Sequence, residues 1–285
     1  MSDLQPFYDD VQAHYDLSDE FFRLFLDPTQ TYSCAYFERE DMTLEEAQLA
    51  KIDLSLSKCD LRPGMRLLDV GCGWGATLRR AVEKYDVNVV GLTLSRNQYE
   101  HVSVMLNGLD TGRTTEVRLQ GWEEFDEPVD RIVSIGAFEH FTSPRYDDFF
   151  ARAYSILPGD GRMMLHTIVQ LGRDMFRQKS RVTRADMDFA DFIGREIFPG
   201  GELPIPQVVI EKGERAGFRV EKAQSLQQHY ARTLDLWSAA LEARKDEAVA
   251  IAGEAMYQTY MRYLPGCADF FRRELIDVRQ FTMVK

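Results

Sequence analysis

The chain has 285 residues, of which 45% are hydrophobic and 28% charged, and its formal net charge is −12. A chain of this length can bury a sizeable core, and its composition is typical of a soluble globular protein. The acidic balance excludes bulk nucleic-acid binding, which needs a basic surface. No apolar run approaches the roughly 18 residues that a membrane-spanning helix needs.

The beginning of the chain, MSDLQPFYDD, lacks the basic and then apolar layout of a signal peptide. The four cysteines form no CxxC pair, and no His, Cys or Glu spacing suggests a metal site. We therefore expect a cytoplasmic protein with reduced thiols and no bound metal. The cysteines are Cys34, Cys59, Cys72 and Cys267.

The first 60 residues are predicted to form a helical cover. Aromatic side chains at helical spacing in residues 2–26 predict two short helices that end at Asp27-Pro28. Thr43 and Glu46 have the spacing of a capping box, which predicts a helix that runs to about Lys58. The apolar side chains of the two short helices are Phe7, Val11, Tyr15, Phe21, Phe22 and Phe25.

Strands and helices then alternate, and residues 61–169 are predicted to form the cofactor-binding core. This alternation of strands and helices predicts an α/β fold with a doubly wound, mostly parallel sheet. The predicted strands are 66–70, 88–92, 115–119, 130–135 and 161–168, and the predicted helices are 76–84, 96–106 (capped by Ser95) and 145–157.

Residues 170–205 break the alternation and are longer than an ordinary connection. We interpret them as an insertion that acts as a lid over a pocket, and a plain connecting helix remains the alternative. Residues 206–285 are predicted to complete the core with a helix and a strand in 206–224, two helices in 230–264 and a last strand. We expect 1–285 to form one domain. The apolar residues of the insertion helix are Met187, Phe189, Phe192, Ile193 and Ile197.

The segment LLDVGCGWGA (67–76) is the sharpest local motif. A strand leads into a glycine-rich turn and then a helix, so the backbone can approach a ligand closely. Asp69, Gly71, Gly73 and Gly75 satisfy the D-x-G-x-G-x-G pattern of S-adenosylmethionine (SAM) sites. A dinucleotide site remains open, because Gly71, Gly73 and Ala76 nominally match G-x-G-x-x-A.

The segments after the next two strands favour SAM. Dinucleotide enzymes usually place an acid about 20 residues after the glycines, and GLTLSRNQ (91–98) contains none. A nicotinamide-dependent dehydrogenase is therefore the remote alternative. Thr93 and Gln98 can instead bond ribose hydroxyls. A tryptophan taken singly is more typical of a core, but in this position after the third strand Trp122 and Glu123 are expected to flank adenine.

Seven segments of the chain match one known family. They are HYDLSDEFFRLFLDPTQTYSCAYFE, LLDVGCGWG, NVVGLTLSRNQ, VDRIVSIGAFEHF, EIFPGGELP, HYARTLDLW and YLPGC. The turn GCGWG occurs in many methyltransferases, whereas YSCAYFE, GAFEHF and EIFPGG are far more specific. On these segments the chain resembles the mycolic acid cyclopropane synthases, a branch of the SAM-dependent cyclopropane-fatty-acid synthases. The resemblance covers essentially the whole length and implies the seven-stranded class I methyltransferase fold.

The resemblance implies two sets of site residues. The cofactor contacts of the family match Tyr32, Ser33, Asp69, Gly71, Cys72, Gly73, Gly75, Thr93, Leu94, Ser95, Gln98, Trp122, Glu123 and Ile135. The family also holds bicarbonate or carbonate, and those ligands match Cys34, the backbone of Ile135 and Gly136, Glu139, His166 and Tyr230. A cysteine proposed as catalytic in the wider family matches Cys267.

The implied reaction is methyl transfer from SAM to a cis double bond of a very long acyl chain. The resulting carbocation must lose a proton to close a cyclopropane ring, so a base is needed in a water-poor pocket. Bicarbonate is a suitable base, because a carboxylate side chain acting as the base could itself become alkylated. Glu139 can accept its hydroxyl, while His166, Tyr230 and the N–H groups near Gly136 can donate. Each side chain also has a purely structural interpretation as a cap or a core residue.

The resemblance also bears on the product and on the partners of the protein. We expect ring closure, and a methyl-branched or hydroxylated mycolate is the alternative within the family. A lipid-binding protein without catalysis is a further alternative. The acyl chain is expected on an acyl carrier protein, with peripheral membrane contact possible. A basic run offers a surface for the acidic carrier, or is simply a solvated face: Arg173, Arg177, Lys179, Arg181 and Arg184.

Overall fold

The computed structural model describes residues 5–6, 19–170 and 182–285. Seven strands form one sheet in the order β3-β2-β1-β4-β5-β7-β6. Strand β7 runs antiparallel to β5 and β6, and the other neighbouring strands in this sheet are parallel, so the predicted doubly wound, mostly parallel sheet is confirmed. The strands are β1 Arg66–Val70, β2 Asn88–Thr93, β3 Thr115–Leu119, β4 Arg131–Ile135, β5 Arg162–Gln170, β6 Arg219–Ser225 and β7 Ile276–Val284.

Nine α-helices surround this sheet within the described residues. They are α1 Asp19–Phe22, α2 Leu44–Ser57, α3 Ala76–Tyr85, α4 Arg96–Asn107, α5 Tyr146–Ile156, α6 Arg184–Phe192, α7 Pro206–Ala216, α8 Gln227–Ala243 and α9 Lys245–Arg272. A kink interrupts α9 at Gly253, whose backbone is left-handed with φ of 84°. Two predicted caps are confirmed. Thr43 and Glu46 form the capping box of α2, and the Ser95 side chain accepts from the Gln98 N–H at the start of α4.

Helices cover both faces of the sheet because successive strand residues point to opposite sides. Leu67 and Val89 pack with α2, α3 and α4, whereas their neighbours Leu68 and Val90 pack in the cluster that includes α5. This two-sided burial explains why β1 and β2 read as nearly continuous apolar runs.

A third core cluster joins α1, α8 and α9 and is rich in aromatic rings. Phe21, Phe22 and Phe25 are buried in it, and Phe21 meets Tyr260 edge-on with 5.0 Å between ring centroids. The helix α1 ends at Phe22, before the predicted stop at Asp27. The other apolar residues predicted for this region, Phe7, Val11 and Tyr15, lie outside the described residues.

The prediction for the C-terminal helices is wrong in one respect. Helix α9 continues through Pro265 to Arg272 instead of ending near residue 264. Proline removes one helical hydrogen bond, but the helix is anchored on both sides of it by the buried side chains of Leu264, Ala268 and Phe271. No helix in the described part of the chain is long and apolar enough to cross a membrane.

Candidate active site

A cavity of about 130 Å³ lies at the carboxyl ends of β1 to β4, and we call it the glycine-turn cavity. Ligands of doubly wound folds bind at this edge of the sheet. Most of the predicted cofactor residues line it: Tyr32, Ser33, Asp69, Gly71, Cys72, Gly73, Thr93, Leu94, Gln98, Trp122, Glu123 and Ile135.

Gly71 and Gly73 form the wall of this cavity with left-handed backbone, at φ of 80° and 54°. A side chain at Gly71 would collide with Cβ of Ala137 at 2.4 Å, so this glycine is needed for packing. A Cβ at Gly73 would have no described atom within 4 Å. Gly73 therefore leaves space where a ligand can approach the backbone.

Two predicted cofactor residues, Gly75 and Ser95, do not line the cavity. Gly75 is the N-cap residue of α3, and a side chain there would meet the Met105 methyl group at 2.6 Å. Ser95 uses its hydroxyl to cap α4. Both residues shape the turns that carry the lining residues, which is a structural role.

The ribose residues predicted after β2 bond to each other. The Thr93 hydroxyl donates to Gln98 Oε1 at 2.8 Å and accepts from the Ser95 N–H at 3.1 Å. Gln98 Nε2 makes no hydrogen bond to the described residues, so its amide remains available to a ligand. Thr93 thus positions Gln98.

Trp122 and Glu123 form the end of the cavity beyond β3. Glu123 Oε1 accepts from Arg145 Nη1 at 2.8 Å, and its buried Oε2 has no hydrogen-bond partner in the described structure. Burial raises the pKa of Glu123, and Arg145 opposes this shift. Trp122 packs edge-on against Phe149 at 5.3 Å, so it is both a core residue and a lining residue.

Asp69 and Lys51 place two buried opposite charges in the same cavity. Each side chain is 1% exposed, and Lys51 Nζ donates to Ser33 Oγ at 2.8 Å. Burial raises the pKa of Asp69 to about 7 and lowers that of Lys51 to about 8. Asp69 Oδ1 has no hydrogen-bond partner among the described residues. The cavity is therefore suited to a ligand that carries both charges.

A second cavity, which we call the apolar cavity, has a volume of about 420 Å³. It adjoins the glycine-turn cavity, and the two share Tyr32, Ser33, Gly136 and His140. Most of its lining is apolar, with side chains from α6, α8 and α9. The predicted catalytic residues Gly136, Glu139, His166, Tyr230 and Cys267 line it.

Glu139 lies on a short 3₁₀ turn after β4 and does not cap it. Its Oε1 accepts from the Ile168 N–H at 2.7 Å, while Oε2 is shielded from water and unpartnered among the described residues. Burial raises the pKa of Glu139. Oε1 therefore fixes the orientation of the carboxyl group, and Oε2 is available for a hydrogen bond with a ligand.

His166 is 1% exposed on β5, and burial lowers its pKa well below the usual value, so the ring is neutral. Lys58 Nζ donates to Gln280 Oε1, which directs the amide nitrogen of Gln280 to Ser55 Oγ at 2.9 Å and His166 Nδ1 at 3.3 Å. Because Nδ1 accepts, Nε2 carries the ring proton. His166 is thus prepared as a neutral hydrogen-bond donor.

Tyr230 and Cys34 are buried, Cys267 is half-buried, and the phenol and both thiols are in their neutral forms. Burial raises the pKa of Tyr230 and Cys34 well above their usual values, and that of Cys267 to about 12. Cys34 does not line the apolar cavity, because its Sγ is directed to the carbonyl oxygen of Ala35 at 3.1 Å. All four cysteines of the chain are free.

Donation to bicarbonate by the N–H groups near Gly136 stays a prediction, and the N–H group of Gly136 itself is used within the fold. This N–H donates to the carbonyl oxygen of His166 at 2.9 Å as β4 leaves the sheet. Gly136 still lies where the two cavities meet, with φ of 69°. Its absent side chain keeps the passage open.

The described part of the predicted lid covers the apolar cavity. Helix α6 contributes Met187 and Phe189 to the lining, and Met187 is 56% exposed. Asp186 ties the helix to Arg273, the residue that follows α9, through a bidentate ion pair at 2.6 and 2.8 Å. Of the predicted basic run, only Arg184 lies within the described residues, and it is exposed.

Sequence analysis missed Lys51 and the Lys58–Gln280 pair. Lys51 lies between Gln48 and Ser55 on the buried stripe of α2, and a lysine at that spacing is a detectable anomaly. For Gln280 no local signal exists, because its partners are more than 100 residues away in the chain.

Comparison with known proteins identifies the family. The family model for mycolic acid cyclopropane synthetase matches residues 2–281. Cyclopropane mycolic acid synthase 3 of Mycobacterium tuberculosis is 62% identical over 99% of each chain. The structure of the cyclopropane synthase MmaA2 from the same organism has a TM-score of 0.98 at 61% identity, covering 99% of this chain and 100% of that chain.

A second solved relative is the mycolic acid cyclopropane synthase CmaA1, complexed with S-adenosylhomocysteine (SAH) and CTAB. It has a TM-score of 0.95 at 61% identity over 99% of each chain. The predicted resemblance and the predicted class I methyltransferase fold are both confirmed. The chain belongs to the mycolic acid cyclopropane synthetase family of SAM-dependent transferases.

Proposed function

We propose that this protein transfers a one-carbon unit from SAM to a cis double bond of a very long acyl chain, a mycolic acid precursor, and closes a cyclopropane ring. The observation that carries the proposal is the polar group formed by Glu139, His166 and Tyr230 inside an apolar cavity. That cavity adjoins the glycine-turn cavity at Gly136. A polar cluster in an apolar site is suited to a reaction on a hydrocarbon chain.

The residues of the glycine-turn cavity fit SAM. The unpartnered Oε2 of Glu123 suits the adenine amino group, Gln98 suits the ribose, and Asp69 suits the cationic amino acid end. Gly73 leaves the space for backbone contact. When bound, SAM supplies an electrophilic methyl group, which an alkene can attack.

We further propose that bicarbonate is the base, held by Glu139, His166 and Tyr230. The unpartnered Oε2 of Glu139 can accept the bicarbonate hydroxyl, while His166 Nε2–H and the Tyr230 hydroxyl can donate to its other oxygens. General-base catalysis typically contributes about 10²–10⁴ in rate. Bicarbonate also spares the Glu139 carboxylate from alkylation.

The lining of the apolar cavity protects a carbocation on the acyl chain. Water would capture the cation, and an apolar lining excludes it. Tyr263 and Phe270 line the cavity with aromatic rings, and such rings stabilise a desolvated cation by roughly 2 kcal/mol. These residues favour proton loss over hydration.

The acyl chain is proposed to enter beside α6, presented by an acyl carrier protein. The exposed Met187 extends the apolar lining to the surface, and Arg184 begins the same helix. The relative that was solved with the lipid-like molecule CTAB supports a site for a long chain. The free cysteines favour a reducing, cytoplasmic location with at most peripheral membrane contact, which cell fractionation tests.

Mass analysis of lipids from a strain that gains this gene tests the proposed reaction. A gain of one CH₂ per modified double bond is expected, and a strain expressing Glu139→Gln is the control. A methyl plus a hydroxyl group would instead support the alternative product and refute ring closure. Unchanged lipids, with the protein folded and expressed, would refute the proposed substrate.

A separate assay tests bicarbonate. The purified protein is supplied with SAM and a cis-unsaturated acyl carrier protein in buffer depleted of bicarbonate. Ring formation is expected to fall and to recover when bicarbonate is added. A rate that does not depend on bicarbonate would refute its role while leaving methyl transfer standing.

A further inference from the structure

Lys51 is the only lysine or arginine among the described residues that line the glycine-turn cavity. Its ammonium group has three N–H donors, and one of them donates to Ser33 Oγ at 2.8 Å. No other described group accepts a hydrogen bond from it. A buried ammonium that lacks partners is costly. Donors of this buried ammonium group are therefore still available to a ligand anion in the cavity.

The two ends of the cavity differ in charge. At the β3 end, the charge of Glu123 is balanced by its ion pair with Arg145. At the β1 end, Lys51 and Asp69 offer one cation and one anion, and Asp69 Oδ1 has no partner among the described residues. An α-amino acid group has the complementary pair, a carboxylate and an ammonium group.

We propose that Lys51 recognises the α-carboxylate of SAM, while Asp69 recognises its α-ammonium group. This inference rests on the proposed function and names a residue for its cofactor specificity. Ser33, which accepts from Lys51, lies in both cavities. Lys51 therefore fixes the amino acid end of the cofactor next to the apolar cavity, where the methyl group must be delivered.

Charge and position explain why lysine is required. Methionine has a similar length and would fill the same buried space, but it offers no donor. Glutamine keeps a donor without the charge. Removing one charge of a buried pair destabilises a protein when the other charge stays buried, as Asp69 does here. Thermal melting of both variants is therefore measured first, and Lys51→Gln, which keeps a donor, is the milder of the two.

Calorimetric titration with two ligands tests the proposal. The first is SAH, and the second is decarboxylated SAH, which keeps the adenosine, the sulfur and the amino group. Wild-type protein is expected to bind SAH about 100-fold more tightly than the decarboxylated ligand, as befits a buried charge-assisted contact. Lys51→Met and Lys51→Gln are expected to lose this preference by weakening SAH alone. Lys84→Met, which removes an exposed lysine on α3, is the charge control and is expected to bind both ligands normally.

Equal weakening of both ligands by Lys51→Met would overturn the proposal, since it would indicate that Lys51 merely supports Ser33. Unchanged SAH affinity in the folded variants would overturn it as well. Failure of the wild-type protein to bind SAH would instead refute the proposed cofactor. The two failures are therefore distinguishable.

Discussion

Replacing Gly73 by valine is expected to abolish tight SAM binding while the fold is retained. No described atom lies within 4 Å of a Cβ at this position, so the new side chain enters the glycine-turn cavity without striking the protein. The φ of 54° is left-handed and costs a residue with a side chain about 1–2 kcal/mol of stability. Filling a packed site typically costs about 1–3 kcal/mol, which corresponds to a loss of affinity of up to roughly 100-fold.

Calorimetric titration with SAH and thermal melting measure the two effects separately. The matched control is Gly64→Val, because Gly64 is also left-handed, at φ of 84°, and its Cβ would touch only the end of the Arg113 side chain at 3.4 Å. Both variants are expected to melt at a temperature lower by a few degrees, at roughly 2–4 °C per kcal/mol. Only Gly73→Val is expected to lose SAH affinity.

Unchanged SAH affinity in folded Gly73→Val would refute the reasoning that this glycine faces the cofactor. An equal loss in Gly64→Val would show that backbone strain, and not occupied space, weakens binding.

Four further outcomes are expected. Glu139→Gln and His166→Ala should slow ring formation by about 10²–10⁴ yet bind SAH within about threefold of wild type by calorimetry; a large loss of SAH affinity would contradict their placement in the apolar cavity. Cys267→Ser should keep most of its turnover in the lipid assay, because a thiol with a pKa of about 12 is not a nucleophile at neutral pH. SAH affinity should be highest between about pH 7 and 8. Asp69, with a pKa of about 7, is protonated below this window, and Lys51, with a pKa of about 8, is neutral above it. Asp69→Asn should remove the decline in SAH affinity on the acid side, and a pH profile like that of the wild type would contradict this. Amide hydrogen exchange in 182–200 should slow when a long-chain ligand binds, and equal protection in both states would argue against a lid.

The sequence alone was sufficient to predict the mostly parallel sheet and the glycine turn that lines the first cavity. Each strand from β1 to β5 is predicted to within two residues at either end. Side chains buried on both faces leave short, mostly apolar runs in β1, β2, β4 and β5, whereas β3 is only partly buried. The caps at Thr43 and Ser95 are local hydrogen bonds, so residue spacing predicts them. The glycine turn is equally local, since it follows directly from β1.

The tertiary structure decided what each side chain does. Gly75 and Ser95 match the cofactor motif, but packing against α4 and capping account for them, and neither reaches the cavity. Lys51 enters the cavity from α2, 18 residues before Asp69 in sequence, because the buried stripe of α2 faces the Thr31–Ser33 segment. The proton of His166 is placed by Gln280 and Lys58. Hydrogen bonds between such distant residues depend on how the elements pack, and no local pattern in the sequence records them.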